Sequence, residues 1–176
     1  MVEKITGYHG TTKKNAETII FQQKMEASRG WDEWLGRGIY FFTRIEDAEW
    51  WCIKRKYKAH SIIVADLECE DDFILNLIDD PIDIEMFSKA CVAVKKKSQR
   101  LPDGTRRRNY MQLAIEHIRS VLREQFNKDI FITKAMFKEN RKTKLKSGDS
   151  DKFPIVYGQI QICVYDHKII KSIVEM

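Results

Sequence analysis

Lys4-Ile5-Thr6-Gly7-Tyr8-His9-Gly10-Thr11-Thr12 and, further on, Gly36-Arg37-Gly38-Ile39-Tyr40-Phe41-Phe42 are the stretches from which the chain is read. In the first, Lys4 to His9 reads as a short strand. Thr11 or Thr12 can then accept the open amides of a helix running to about Gln23, which places His9 at a strand-to-helix junction. In the second, Ile39 to Phe42 is a short strand. It is entered from a loop, Ser28 to Gly38, whose three glycines, two tryptophans and lack of clean periodicity suit a cover over a pocket. Thr43-Arg44-Ile45-Glu46 has the spacing of a capping box, Thr43 accepting from one amide and Glu46 reaching back, so a helix is expected to about Lys58.

Outward from there, Ser61 to Leu67 is β-branched and apolar, as a buried strand is. Asp79-Asp80-Pro81 breaks the chain before Ile84, Phe87, Ala90, Cys91 and Val94, which fit one face of a helix. A second helix is expected from about Asn109 to Phe126 on the spacing of Tyr110, Met111, Ala114, Ile115, Ile118, Val121 and Leu122. Leu101-Pro102-Asp103-Gly104 reads as a turn. Ile130 to Thr133 reads as a strand, Lys138 to Ser150 as a polar, mobile loop, and Ile155 to Tyr165 and Lys168 to Val174 as two final β segments. Strands and helices mix at the start, helices follow, and strands close the chain. That order predicts an α+β domain spanning residues 1–176, and no Gly-x-Gly-x-x-Gly turn of a dinucleotide-binding βαβ unit occurs.

Composition narrows the class. At 176 residues, 43% hydrophobic, the chain suits one domain with a sizeable core, and no apolar run approaches the ~20 residues of a membrane span. Met1-Val2-Glu3-Lys4-Ile5 has no apolar signal region, which points to the cytoplasm. Cys52, Cys69, Cys91 and Cys163 form no Cys-x-x-Cys pair, and His9, His60, His117 and His167 share no ligand spacing. Free thiols and no metal are expected. The net charge of +5 is uneven. Lys95-Lys96-Lys97, Arg100 and Arg106-Arg107-Arg108 crowd one stretch, and more basic residues lie from Lys138 to Lys146, so the Lys95–Arg108 segment is a candidate nucleic-acid contact. A basic nucleic-acid-binding domain is accordingly one reading of the whole chain.

The chemistry-bearing residues point elsewhere. Tyr8-His9-Gly10-Thr11 resembles the His-Gly-Thr segment of the poly-ADP-ribose-polymerase branch of ADP-ribosyltransferases, and Gly36-Arg37-Gly38-Ile39-Tyr40-Phe41 is similar to that branch's Gly-Lys-Gly-Ile-Tyr-Phe strand. The late strand Ile160-Gln161-Ile162-Cys163-Val164-Tyr165-Asp166 resembles its Asn-Glu-Tyr-Ile-Val-Tyr-Asp. The resemblance covers roughly residues 5–58 and 153–175. It implies a split antiparallel β-sheet with flanking helices and NAD as substrate, its ADP-ribose moving to a protein or nucleic-acid acceptor as nicotinamide leaves. It further implies that His9 binds ribose, Gly10 the carboxamide, and Tyr40 and Trp51 the nicotinamide ring, with Thr11 beside them. Gln161 then takes the catalytic position and Gln159 lies on the acceptor side.

Two departures matter. Ala48 stands where the family has a serine that bonds the carboxamide, and Gln161 stands where it has a glutamate. An amide can still bind a ribose hydroxyl, but hydrogen bonds to charged groups are worth about 1.5 to 3 kcal/mol against about 0.5 to 1.5 for neutral ones. Stabilising a developing oxocarbenium cation depends more on negative charge, so polymer synthesis is not expected and single ADP-ribose transfer is. Glu139 and Glu175 are the nearest carboxylates in sequence that could substitute. The alternative is a catalytically inactive module that binds NAD or ADP-ribose. Taken one at a time, His9 is an ordinary strand-end histidine, Tyr40 and Trp51 are core aromatics, and Gly36 and Gly38 form a tight turn. Together they arrive in the family's order.

Overall fold

A computed structural model describes residues 1–28, 33–98, 110–138 and 158–176. The first strand, β1 (Val2–Thr12), runs past both ends of the expected segment because a partner supports its whole length. It pairs antiparallel with β3 (His60–Glu70) from Val2↔Glu70 to Thr12↔His60. His9 therefore sits inside a strand, three residues before the cap. Thr12 is that cap: its side-chain oxygen accepts from the Asn15 amide at 3.3 Å and starts α1 (Lys13–Gln22). Gln23, at φ 49°, ends the helix in the left-handed region.

The next strand, β2 (Ile39–Phe42), pairs antiparallel with β6 (Gly158–Val164), from Ile39↔Val164 to Phe42↔Gln161. This pairing shifts the start of α2 (Ile45–Lys54). The Thr43 amide donates to the Ile160 carbonyl at 3.4 Å, so Thr43 still belongs to the ladder; Arg44 becomes the cap residue and makes no side-chain cap bond. The expected capping box is thus absent, and the helix ends four residues earlier than the sequence suggested. The chain then forms β4 (Ile74–Asn76), α3 (Pro81–Ser98), α4 (Tyr110–Phe126), β5 (Ile132–Lys138) and, after β6, β7 (Ile170–Glu175). The two short turns of 3₁₀ helix, Asp71–Phe73 and His167–Ile169, introduce β4 and β7. The expected turn at Leu101 to Gly104, the loop from Glu139 to Ser150 and the start of the late strand at Ile155 lie outside the described residues.

The architecture is α+β: a seven-stranded sheet, β4-β5-β6-β2-β1-β3-β7, antiparallel except for β4 beside β5. One junction is thin. Between β1 and β2 a single pair, Tyr8↔Phe42, joins the half-sheet β4-β5-β6-β2 to the half-sheet β1-β3-β7. Among the described residues, β1 beyond Tyr8 has a strand partner only on its β3 side.

Period-two alternation assigns the faces. Phe41, Ile63, Ala65, Leu67, Ile162 and Val164 build one core with Ala16 of α1. On the other face, Leu75, Ala135 and Cys163 pack against Ala90 of α3 and Ala114, Ile115 and Ile118 of α4, with Leu35 enclosed among them. Ala48 and Cys52 of α2 pack with Phe42 and Ile62 nearer the thin junction. Among the described residues, no helix is long and apolar enough to cross a membrane.

Candidate functional site

A pocket of about 600 Å³ lies at this junction, a volume within the range of small-molecule sites. His9, Gly10 and Thr11 of β1, Tyr40 of β2, Trp51 of α2, and Gln159 and Gln161 of β6 all line it. The seven residues singled out in the sequence, up to 152 positions apart (161 − 9), thus meet in one place. Of the two carboxylates expected as substitutes, only Glu175 falls among the described residues. Glu175 is exposed on the edge strand β7 and does not line the pocket, and Glu139 lies outside the described residues. Among the described residues, the carboxylates lining the pocket are Glu26 and Glu33.

His9 spans the gap between the half-sheets. Its Nδ1 lies 2.8 Å from the Tyr40 carbonyl oxygen, which can only accept, so Nδ1 carries the proton and donates. Burial lowers the imidazole pKa below 6.5, partly offset by that bond, and the ring is neutral at pH 7. The remaining nitrogen, Nε2, is then an acceptor suited to a ligand hydroxyl. The ring also packs edge-on to Phe41 at 6.1 Å between centroids.

Tyr40 holds the loop before it. Its hydroxyl donates to the Gly36 carbonyl at 2.7 Å and accepts from the Leu35 amide at 3.1 Å. Burial raises the phenol pKa well above its ordinary value, so the hydroxyl stays protonated and the proton that makes this bond is retained. Gly36 has φ 89°, a conformation that excludes most side chains. From the late strand, the Tyr165 hydroxyl donates to the Leu35 carbonyl at 2.6 Å and pairs with the Thr133 hydroxyl at 2.9 Å. The loop end is thereby pinned from two strands.

Gly10 sets how closely α2 approaches. A Cβ there would collide with the Ala48 carbonyl oxygen and lie 2.6 Å from Cys52 Sγ. Ala48 and Cys52 themselves are fully buried and do not line the pocket, so Ala48 serves packing. Trp51 is half-buried, tilted against Phe42 at 6.4 Å, with the Arg55 guanidinium 5.1 Å from its ring centre. Lys54 Nζ lies 4.4 Å from the centre of the Trp50 ring, and Lys54 and Arg55 both line the pocket with Trp50, Tyr57, Trp34 and Phe137.

Sequence reading singled out Trp51 but missed its neighbours Trp50, Lys54 and Arg55, although their signal was present. Trp51 and Arg55 are four residues apart, and so are Trp50 and Lys54, which puts two adjoining pairs of pocket residues at the C-terminal end of α2. Asp47 is fully buried and accepts from Gln159 Nε2 at 3.3 Å.

Cysteine nucleophile chemistry has no support here. Burial pushes the Cys163 thiol up to about 12 and raises Cys52, so both stay protonated at neutral pH. Among the described residues no group of three or more His, Cys, Asp or Glu side chains is placed to hold a metal ion.

Comparison with known proteins is brief. The chain matches no protein-family model. It is similar to an uncharacterized protein of Methanocaldococcus jannaschii, 27% identical over 187 aligned positions, with 97% of this chain and 86% of the relative covered.

Proposed function

We propose that the pocket binds NAD by its nicotinamide end and that the protein is a mono-ADP-ribosyltransferase of the poly-ADP-ribose-polymerase-like branch. The observation that carries this reading is the convergence of His9, Gly10, Thr11, Tyr40, Trp51 and Gln161 on one pocket at the thin junction of the sheet.

The residues present suit such a ligand. Tyr40 and Trp51 offer faces to a flat heteroaromatic ring. Neutral His9 offers Nε2 to a ribose hydroxyl, and Gly10 brings β1 backbone to the pocket wall with no side chain in the way. Lys54 and Arg55 supply cations for a diphosphate. Bound NAD would supply a ribose whose bond to nicotinamide is already weakened by the ring's positive charge. The protein's part is to hold the ring, read the ribose hydroxyls and place negative potential near the reacting carbon. Gln161 supplies only an amide dipole there, and the carboxylates of Glu26 and Glu33 line the same pocket. This supports transfer of a single ADP-ribose to a protein or nucleic-acid acceptor. The free thiols Cys52, Cys69, Cys91 and Cys163 support a cytoplasmic setting.

The test is release of labelled nicotinamide from NAD in the presence of cell lysate, followed by separate protease and nuclease digestion of the labelled acceptor. Release by the wild type and strong loss in His9→Ala and Tyr40→Ala is expected; equal release by all three rejects the assignment. Gln161 and Ala48 favour a second reading, an inactive NAD-binding module, which predicts binding without release under any acceptor condition.

A further inference from the structure

The mouth of the pocket has two flanks that binding of nicotinamide does not use. One is the end of α2 with the turn after it, Trp50-Trp51-Cys52-Ile53-Lys54-Arg55-Lys56-Tyr57-Lys58. Lys54, Arg55, Lys56 and Lys58 are all exposed, and no acidic residue stands between Glu49 and Asp66. Cations at the end of a helix offset its dipole, which accounts for Lys54 and Arg55; Lys56 and Lys58 lie past the Arg55 cap. They flank Tyr57, which lines the pocket. The other flank lies across the thin junction. There Trp34, in the loop before β2, meets Phe137 of β5 edge to face, 5.1 Å between ring centroids at 87°. Both line the pocket, and Trp34 is 53% exposed, so it has a ring face to offer a flat partner.

We propose that this mouth binds a single strand of RNA, with a base stacked on Trp34 and neighbouring phosphates held by Lys56 and Lys58. Aromatic faces interleaved with cations suit an unpaired strand, since every base is flat and every link carries a negative charge. A duplex keeps its bases stacked inside and cannot present one to Trp34. An acidic peptide has charge for the lysines and no base for the ring. The carboxyl groups of the pocket favour RNA over DNA. Glu33 precedes Trp34 and lines the pocket with Glu26. A carboxylate has about four acceptor sites, room for a further donor beside the partners that Glu26 and Glu33 already have. Each internal nucleotide of RNA brings a 2′-hydroxyl that can donate there, whereas the sugar of internal DNA has no hydroxyl. The contacts proposed for NAD fall on other residues, His9, Tyr40, Trp51, Lys54 and Arg55, so the RNA surface stands beside the NAD site and does not depend on turnover.

The test is fluorescence anisotropy of an end-labelled single-stranded RNA of about 10 nucleotides, a span typical of such sites, titrated with the full chain in the absence of NAD. The same sequence as single-stranded DNA, the same sequence as duplex RNA, and a glutamate-rich peptide of equal charge form the other arms. Wild type should bind the single-stranded RNA at least about tenfold more tightly than each of these. Trp34→Ala should weaken binding about tenfold, the worth of one base stack, and Trp34→Phe, which keeps a ring, should stay within about threefold of wild type. RNA should quench tryptophan fluorescence less in Trp34→Phe than in wild type, because the stacked indole is gone. The double variant Lys56→Gln/Lys58→Gln changes two exposed side chains and leaves the core untouched. It should lower the slope of log affinity against log salt by about 1.4, about 0.7 for each phosphate contact on a single strand.

Equal quenching in wild type and Trp34→Phe, an unchanged salt slope in the lysine variant, or binding of DNA, duplex or peptide as tight as that of single-stranded RNA overturns the proposal. No RNA binding by wild type overturns it as well and leaves NAD binding, measured separately by calorimetry, untouched. Conversely, a protein that binds the RNA as described and releases no nicotinamide keeps this surface and loses the transferase reading.

Discussion

Tyr40→Phe keeps the aromatic face in the pocket and removes only the hydroxyl that ties the Leu35–Gly36 loop end to β2. Two hydrogen bonds are lost, to the Gly36 carbonyl and from the Leu35 amide, and both Leu35 and Gly36 are buried. At about 1 kcal/mol per bond, with roughly 1 kcal/mol more for leaving the buried Leu35 amide without that acceptor, the loss is about 3 kcal/mol. For a chain of this size that lowers Tm by roughly 6 to 12 °C. The loop end should stay in place, since Tyr165 still bonds the Leu35 carbonyl. NAD binding should therefore persist in Tyr40→Phe and fail in Tyr40→Ala. Thermal unfolding with and without NAD measures both effects. A Tyr40→Phe variant with a Tm within about 1 °C of wild type, or one that loses NAD binding as fully as Tyr40→Ala, would refute the division of labour between ring and hydroxyl.

Gly10→Ala drives a methyl into the Ala48 carbonyl and Cys52, and should cost about 1 to 3 kcal/mol in chemical denaturation while abolishing NAD binding. The lowered pKa of His9 makes stability rise with pH. The unfolded chain takes up a proton near pH 6.5 where the folded protein does not, so this contribution is complete above that pH and shrinks below it. Denaturation midpoints should decline less steeply below pH 6.5 in His9→Gln than in wild type; identical slopes contradict the assignment of a neutral His9. Gln161→Glu should raise nicotinamide release about 100-fold. A rise from a measurable basal rate supports the transferase, and a rise from zero marks the wild type as a binding module.

Local signals were legible where the chain itself supplies the cause. Thr12 caps α1, and α3 and α4 carry their apolar residues at helical spacing as expected. Boundaries shifted where a distant partner decided them. The strand β1 is long because β3 pairs along it, and Thr43 does not cap α2 because its amide is taken by Ile160 of β6. The three-residue β4 has too few residues to show a period and exists through its parallel partner, β5. At the site, His9, Tyr40 and Gln161 carried a motif, whereas the Phe137↔Gln159 register and the Asp47–Gln159 bond join residues across the fold. The dual role of Tyr40, ring to the pocket and hydroxyl to its own loop, is set by the fold, because a motif names a residue and not its bonding partners.

Calorimetric titration of NAD into the purified protein tests the central claim most directly. The account predicts saturable one-to-one binding with Kd below ~1 mM, weakened at least about tenfold in His9→Ala and in Trp51→Ala. Absence of binding by wild type in that range, or equal affinity in all three proteins, would contradict it.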